Sequence, residues 1–77
     1  MLSFELKRRD PSAPADVLEV ILDSEGLESL LAQLRFLKEG RTDHVHLMSE
    51  AWGGTHLSDR PQAPTNTTIH SVTIHRR

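Results

Sequence analysis

The sequence predicts an α+β domain in which one helix covers one face of a mostly antiparallel four-stranded sheet, in the order β-β-α-β-β. Three observations predict it. Apolar and polar residues alternate with period two at Leu2–Lys7 and again at Asp43–Met48, as in half-buried strands. Leucines recur at helical spacing through Leu27, Leu30, Leu31, Leu34 and Leu37. Two proline-punctuated stretches, 9–16 and 59–66, read as connections, because proline fixes φ and cannot donate to a ladder.

Taken in order, the first strand is expected over about 2–8, with Leu2, Phe4 and Leu6 on the buried side. The β-branched run 17–22 is the second strand, with Leu18, Val20 and Leu22 facing the core and Glu19 outward. Ser24 is the expected cap of a helix over about 25–39. Glu25 and Glu28 lie in its first turn, where the dipole favours negative charge. A full capping box is missing, since Leu27 stands three residues after Ser24. Lys38 and Gly40 supply the cation and the αL-tolerant residue that end a helix. The five leucines are expected to form one buried stripe, each contributing roughly 1.5–3 kcal/mol before chain entropy offsets most of it. Phe36 falls near Ala32 on the opposite, water-facing side. It reads either as a singly exposed apolar residue or as a contact for a second subunit or partner. The third strand, 43–48, turns Val45 and Leu47 inward. The fourth, 67–75, places Val72 and Ile74 with His70 on the core side and Ser71, Thr73 and His75 on the other.

Seventy-seven residues make one domain, 1–77, with a core too small to be very stable on its own. The absence of cysteine excludes disulfides, thiolate zinc sites and thiol catalysis, and fits a reducing compartment. The first seven residues carry a charge within their apolar part and no cleavage-like end. No apolar run approaches membrane-spanning length, so a cytoplasmic location and no membrane partner are expected. A net charge of -2 argues against a general nucleic-acid binder, which needs a basic face for phosphates. Basic residues cluster toward the ends (Lys7, Arg8, Arg9, Arg76, Arg77). From Asp43 through Glu50 to Asp59 the chain has acids and no Lys or Arg, as suits a surface facing a basic partner. Asn66-Thr67-Thr68 matches a glycosylation sequon, without a secretory signal to give it meaning.

The stretch His44–Ser58 concentrates the unusual residues: three of the five histidines, the sole tryptophan and the sole Gly-Gly pair. His44 and His46 share one strand face, and by parity His75 joins them. Three imidazoles suit zinc. Yet alternation alone puts i and i+2 on one face, and no acid is spaced to orient a ligand ring. The histidines are therefore expected to face solvent or a partner, with no metal and no cofactor. No nucleophile elbow, phosphate loop or zinc-protease helix is present, and no enzymatic activity is expected. Trp52 has two readings. It is either a plug folded back over the open end of the sheet by Gly53 and Gly54, or an exposed anchor for a partner.

Gly26-Leu27 at the head of a leucine-rich helix, Asp43-His44-Val45-His46-Leu47-Met48, Trp52-Gly53-Gly54, Leu57-Ser58 and Ile69-His70-Ser71-Val72-Thr73-Ile74 together resemble the immunity protein 32 type of small bacterial immunity proteins. The resemblance covers residues 24 to 75 or so; the first two strands add nothing specific to it. Thr55-His56-Leu57 departs from the Gly-Glu-Leu of such sequences, so no acid role is carried over there. The resemblance implies a component of a polymorphic toxin system, made beside a toxin domain and neutralising it by binding. The expected mechanism is steric occlusion by the 44–58 segment. Trp52 would supply desolvated contact area, and Asp43, Glu50 and Asp59 would complement a basic rim. His44, His46, Met48, His56 and Phe36 complete the expected partner-binding set. Two alternatives stand beside it: a small homodimeric module with no toxin partner, paired through a sheet edge or the Phe36 face, and a histidine-based metal-binding protein.

Overall fold

The computed structural model describes residues 1–8, 10, 12 and 17–77. The first proline-punctuated connection lies outside the described residues except at Asp10, whose carboxylate accepts from Ser12 N, and Ser12 itself. The elements are β1 (Leu2–Lys7), β2 (Val17–Leu22), α1 (Ser24–Lys38), β3 (His44–Met48), a 3-10 turn (Glu50–Trp52), β4 (Thr67–Thr68) and β5 (Ser71–His75).

The expected single four-stranded sheet is instead two antiparallel sheets, ordered β2-β1-β4 and β3-β5. The division falls inside the predicted strand 67–75. Its start pairs with β1, Thr68 opposite Glu5, and Ile69 N donates to Phe4 O at 2.8 Å. Its remainder follows β3, from Met48 opposite Ser71 to His44 opposite His75. The cause of the split is the segment after the 3-10 turn. Ser58 N donates to Leu2 O at 2.8 Å, and Leu57 makes a parallel bridge to Ser49. This segment takes the edge of β1 that β5 would otherwise have continued along.

The core gathers Leu2, Phe4, Leu47 and Leu57, with Leu22, Leu30, Ile69, Val72 and Ile74 packed against it. Ile69, rather than the expected His70, joins Val72 and Ile74 there, because the change of partner between β4 and β5 breaks the period-two parity. β1 is not half-buried as expected: Leu2, Ser3, Phe4 and Glu5 are all buried. The 58–66 connection closes over its polar face. There the Glu5 carboxylate accepts from Ser3 Oγ, Gln62 N at 2.9 Å, Ala63 N at 3.4 Å and Asn66 Nδ2 at 3.0 Å. Asn66 Nδ2 also donates to Glu19 at 2.9 Å, so one amide bridges two carboxylates that face each other across the β1–β2 ladder. Like charges directly opposite repel, and the shared donor relieves this. The sequon asparagine is thus buried and engaged. Burial pushes the Glu5 carboxyl up, but the hydrogen bonds from Ser3, Gln62, Asn66 and Ala63 outweigh it and hold the group below the usual carboxylate range.

Two expectations about burial are corrected. Leu18 and Val20 lie opposite Leu6 and Phe4, on the face that carries the core, yet both are exposed, and Leu22 is only half-buried. Glu19, expected outward, is half-buried beneath Asn66. The leucine stripe also divides: Leu37 is buried and Leu30 half-buried, whereas Leu27, Leu31 and Leu34 are exposed. Helical phasing explains the division. Gly26, Leu30, Gln33 and Leu37 point at the sheet, and Leu27, Leu31 and Leu34 fall about 100° round on one flank. Gly26 anchors the inner face, because a Cβ there would overlap the Met1 carbonyl.

The cap is Asp23, not Ser24. Asp23 is extended (φ -100, ψ -171) and its Oδ1 accepts from Gly26 N at 2.9 Å, while Ser24 is already helical. The other end closes as expected on Gly40 at φ 72: Arg41 N donates to Phe36 O and Gly40 N to Leu37 O, the paired bonds of a Schellman turn. Among the described residues no helix is long and apolar enough to cross a membrane.

Candidate partner-binding surface

β3 ends at Met48 and the chain must turn sharply. Ser49 organises that turn with all three of its polar groups. Its N–H donates to His70 O at 3.0 Å, and its carbonyl accepts from Trp52 N at 3.0 Å and Gly54 N at 2.8 Å. Its hydroxyl meets His70 Nδ1 at 2.7 Å. Ser49 has no exposed surface, so this Ser–His pair is a structural link rather than a nucleophile open to substrate. Gly53 takes φ 86, the left-handed region that glycine adopts without strain. Gly54 is required for space: a Cβ there would overlap Met48 O, and the chain beyond it returns to donate from His56 N and Leu57 N to that carbonyl.

The turn presents Trp52 at 59% exposure, the largest exposed ring in the chain. Its inner face stacks on His70 with centroids 5.8 Å apart and planes 5° from parallel. Of the two readings of Trp52, the exposed one describes the geometry, with the ring's orientation fixed from beneath. Beside it Glu50 is exposed. Asp59 is exposed too, but its Oδ1 accepts from Ala51 N at 2.9 Å and so braces the turn.

The outward face of the β3–β5 ribbon carries the histidines as parity predicts. His44 lies 4.9 Å from His46 edge-on and 5.7 Å from His75, centroid to centroid. His46 Nδ1 meets Thr73 Oγ1 across the ribbon at 3.1 Å. His44 Nδ1 donates to Asp43 Oδ1 at 2.6 Å, and that bond, with the neighbouring imidazole's charge, holds the Asp43 carboxyl below its ordinary range. Despite this crowding, among the described residues no three His, Cys, Asp or Glu side chains are arranged to hold a metal ion. Met48 is half-buried at the foot of the same face.

The structure therefore brings Asp43, His44, His46, Met48, Glu50 and Trp52 onto one continuous run of β3 and its turn. His56 lies elsewhere: its Nε2 meets Gln33 Nε2 of α1 at 3.5 Å, on the helix side. There residues 55–58, Glu25, Gly26 and Ser29 line an open cleft of about 380 Å³. Phe36 is exposed on the helix with the Arg41 guanidinium 5.6 Å above its ring. Sequence reasoning missed Ser49 and His70. No spacing rule links a serine at a strand end to a histidine twenty-one residues on; the register of the ribbon alone brings them together.

Compared with known proteins, the chain matches no family model, no curated protein and no solved structure.

Proposed function

We propose that the chain is a non-catalytic inhibitor that binds a bacterial toxin domain and occludes it, in the manner of the immunity proteins its motifs resemble. The observation that carries this reading is Trp52: a large apolar ring, more than half exposed, with its geometry fixed by the His70 stack and the Ser49 hub. Rigid aromatic side chains lose little entropy on contact and dominate interface energies. Glu50 and Asp43 flank the same run with negative charge, which suits a basic rim. Of the leucine stripe, only its inner members support this surface, Leu30 packing against the core that contains Leu47 and Leu57. Leu47, Leu57 and the Gly54–Met48 contact hold it directly.

The test measures, by calorimetry, binding to a toxin domain taken from the genes that neighbour this one. Trp52→Ala is expected to weaken binding by about 2–4 kcal/mol, roughly thirty- to a thousandfold. Glu50→Lys is expected to slow association in a salt-dependent way. If both variants bind like the wild type, this surface is not the inhibitory one.

A further inference from the structure

Among the described residues β2 is an edge strand of its sheet and lacks the usual means of protecting an edge. Its register against β1 runs from Leu22 to Val17 without a bulge, and it holds no proline, lysine or arginine. Its one charged residue, Glu19, is drawn inward by Asn66. Leu18 and Val20 remain exposed on the core-bearing face. The flank of α1 carrying Leu27, Leu31 and Leu34 lies toward the same side of the molecule. The opposite flank, Glu25 and Ser29, faces residues 55–58, which occupy the edge of β1 away from β2.

We propose that this edge pairs with β2 of a second copy of the chain, forming a two-fold symmetric dimer with one continuous six-stranded sheet across the axis. Pairing about an axis perpendicular to the sheet keeps each residue on its own face, so a residue must sit opposite itself at the centre. Centring on Glu19 would oppose two carboxylates. Centring on Val20 opposes Val20 to its copy, Leu18 to Leu22 and Glu19 to Ile21, with no like-charge pair. That register also explains the two exposed leucine sets. It lays the helix-free end of one β2, at Leu18, beside the other's Leu22, where α1 departs. The two helices stand on one face, and each leucine flank is carried toward the other copy's exposed Leu18 and Val20. These five side chains, 36–54% exposed, leave about 400 Å² per copy to be covered. With the paired backbone the total reaches about 1,000 Å², the size at which a specific dimer interface begins. The surface is separate from Trp52, so dimerisation and toxin binding succeed or fail independently.

Sedimentation equilibrium of the whole chain at about 0.1 mM tests the proposal, with far-UV circular dichroism confirming the fold of each variant. The wild type is expected at twice the chain mass. Val20→Lys, which opposes two lysines at the axis, and Leu31→Glu, on the helix flank, are each expected to weaken self-association at least about tenfold. Phe36→Glu, on another face of α1, is expected to leave it unchanged. A wild type that is monomeric at that concentration overturns the proposal, as does a dimer that both Val20→Lys and Leu31→Glu leave intact. A monomer whose Val20→Lys variant loses toxin binding would assign the edge to the toxin and equally overturn it.

Discussion

Replacing Glu5 by glutamine keeps the size of a fully buried side chain and removes only its charge and one acceptor oxygen. The native carboxylate receives Ser3 Oγ and Gln62 N on one oxygen, and Asn66 Nδ2 and Ala63 N on the other. An amide can serve one of these pairs. Its NH₂ must then confront a backbone N–H, that of Gln62 or that of Ala63, which the carboxylate had accepted. Hydrogen bonds to a charged group contribute about 1.5–3 kcal/mol each, and a stranded buried donor costs about 1–3 kcal/mol. The expected loss is therefore about 3–5 kcal/mol, a large share of the roughly 4–12 kcal/mol total stability of a chain this size. Thermal unfolding followed by circular dichroism should show a fall of more than about 12 °C. The pH dependence gives an independent reading. Glu5 is held below its ordinary 4.5, so the folded chain binds fewer protons than the unfolded one. Its contribution is complete above that value and disappears as pH falls through the lower native one. Asp10, held down by Ser12, Asp23, held down by the N-terminal amine, and Asp43, held down by His44, follow the same sign in both proteins. The difference between wild type and Glu5→Gln thus isolates Glu5, and it should shrink on acidification below pH 4.5. A variant within about 0.5 kcal/mol of wild type at neutral pH would refute the network argument.

Two further substitutions probe the turn and the core. Gly54→Ala drives a Cβ into Met48 O and is expected to cost at least about 2 kcal/mol and to disturb the near-UV signal of Trp52, whereas Gly53→Ala has open space and meets only its φ of 86, for roughly 1–2 kcal/mol; equal losses by urea denaturation would contradict the contact. Leu47→Ala removes a side chain with no exposed surface and is expected to cost about 2–5 kcal/mol, read as a lower urea midpoint at unchanged slope.

The order of elements as far as β3, and the boundaries of β1, β2 and β3 to within a residue, were legible in the sequence because they rest on local pattern: Val45 and Leu47 point inward and His44 and His46 outward as period two requires. The helix was legible to within a residue at each end, although its cap was misassigned, because Asp23 and Ser24 are both good caps and only backbone angles distinguish them. What local pattern could not carry was partner choice. The change of partner after Thr68 depends on Ser58 reaching Leu2, and nothing near Thr68 encodes that. Burial followed partner choice: Glu5 is enclosed because the distant Gln62 and Asn66 arrive over it, and Leu18 stays open although it alternates as a core residue should. Of the expected surface, the run from Asp43 to Trp52 was legible by parity and adjacency. The stack that orients Trp52 was not, since His70 reads as a core position until the strand is seen to break there.

The segment 67–75 belongs to both sheets, bonded to Phe4 at one end of its break and to Ser49 at the other. Neither sheet can open alone, because lifting Ile69 from β1 drags His70, and with it the floor beneath Trp52. The backbone amides around this junction should therefore be released to solvent deuterium together, as one cooperative unit, rather than by fraying sheet by sheet.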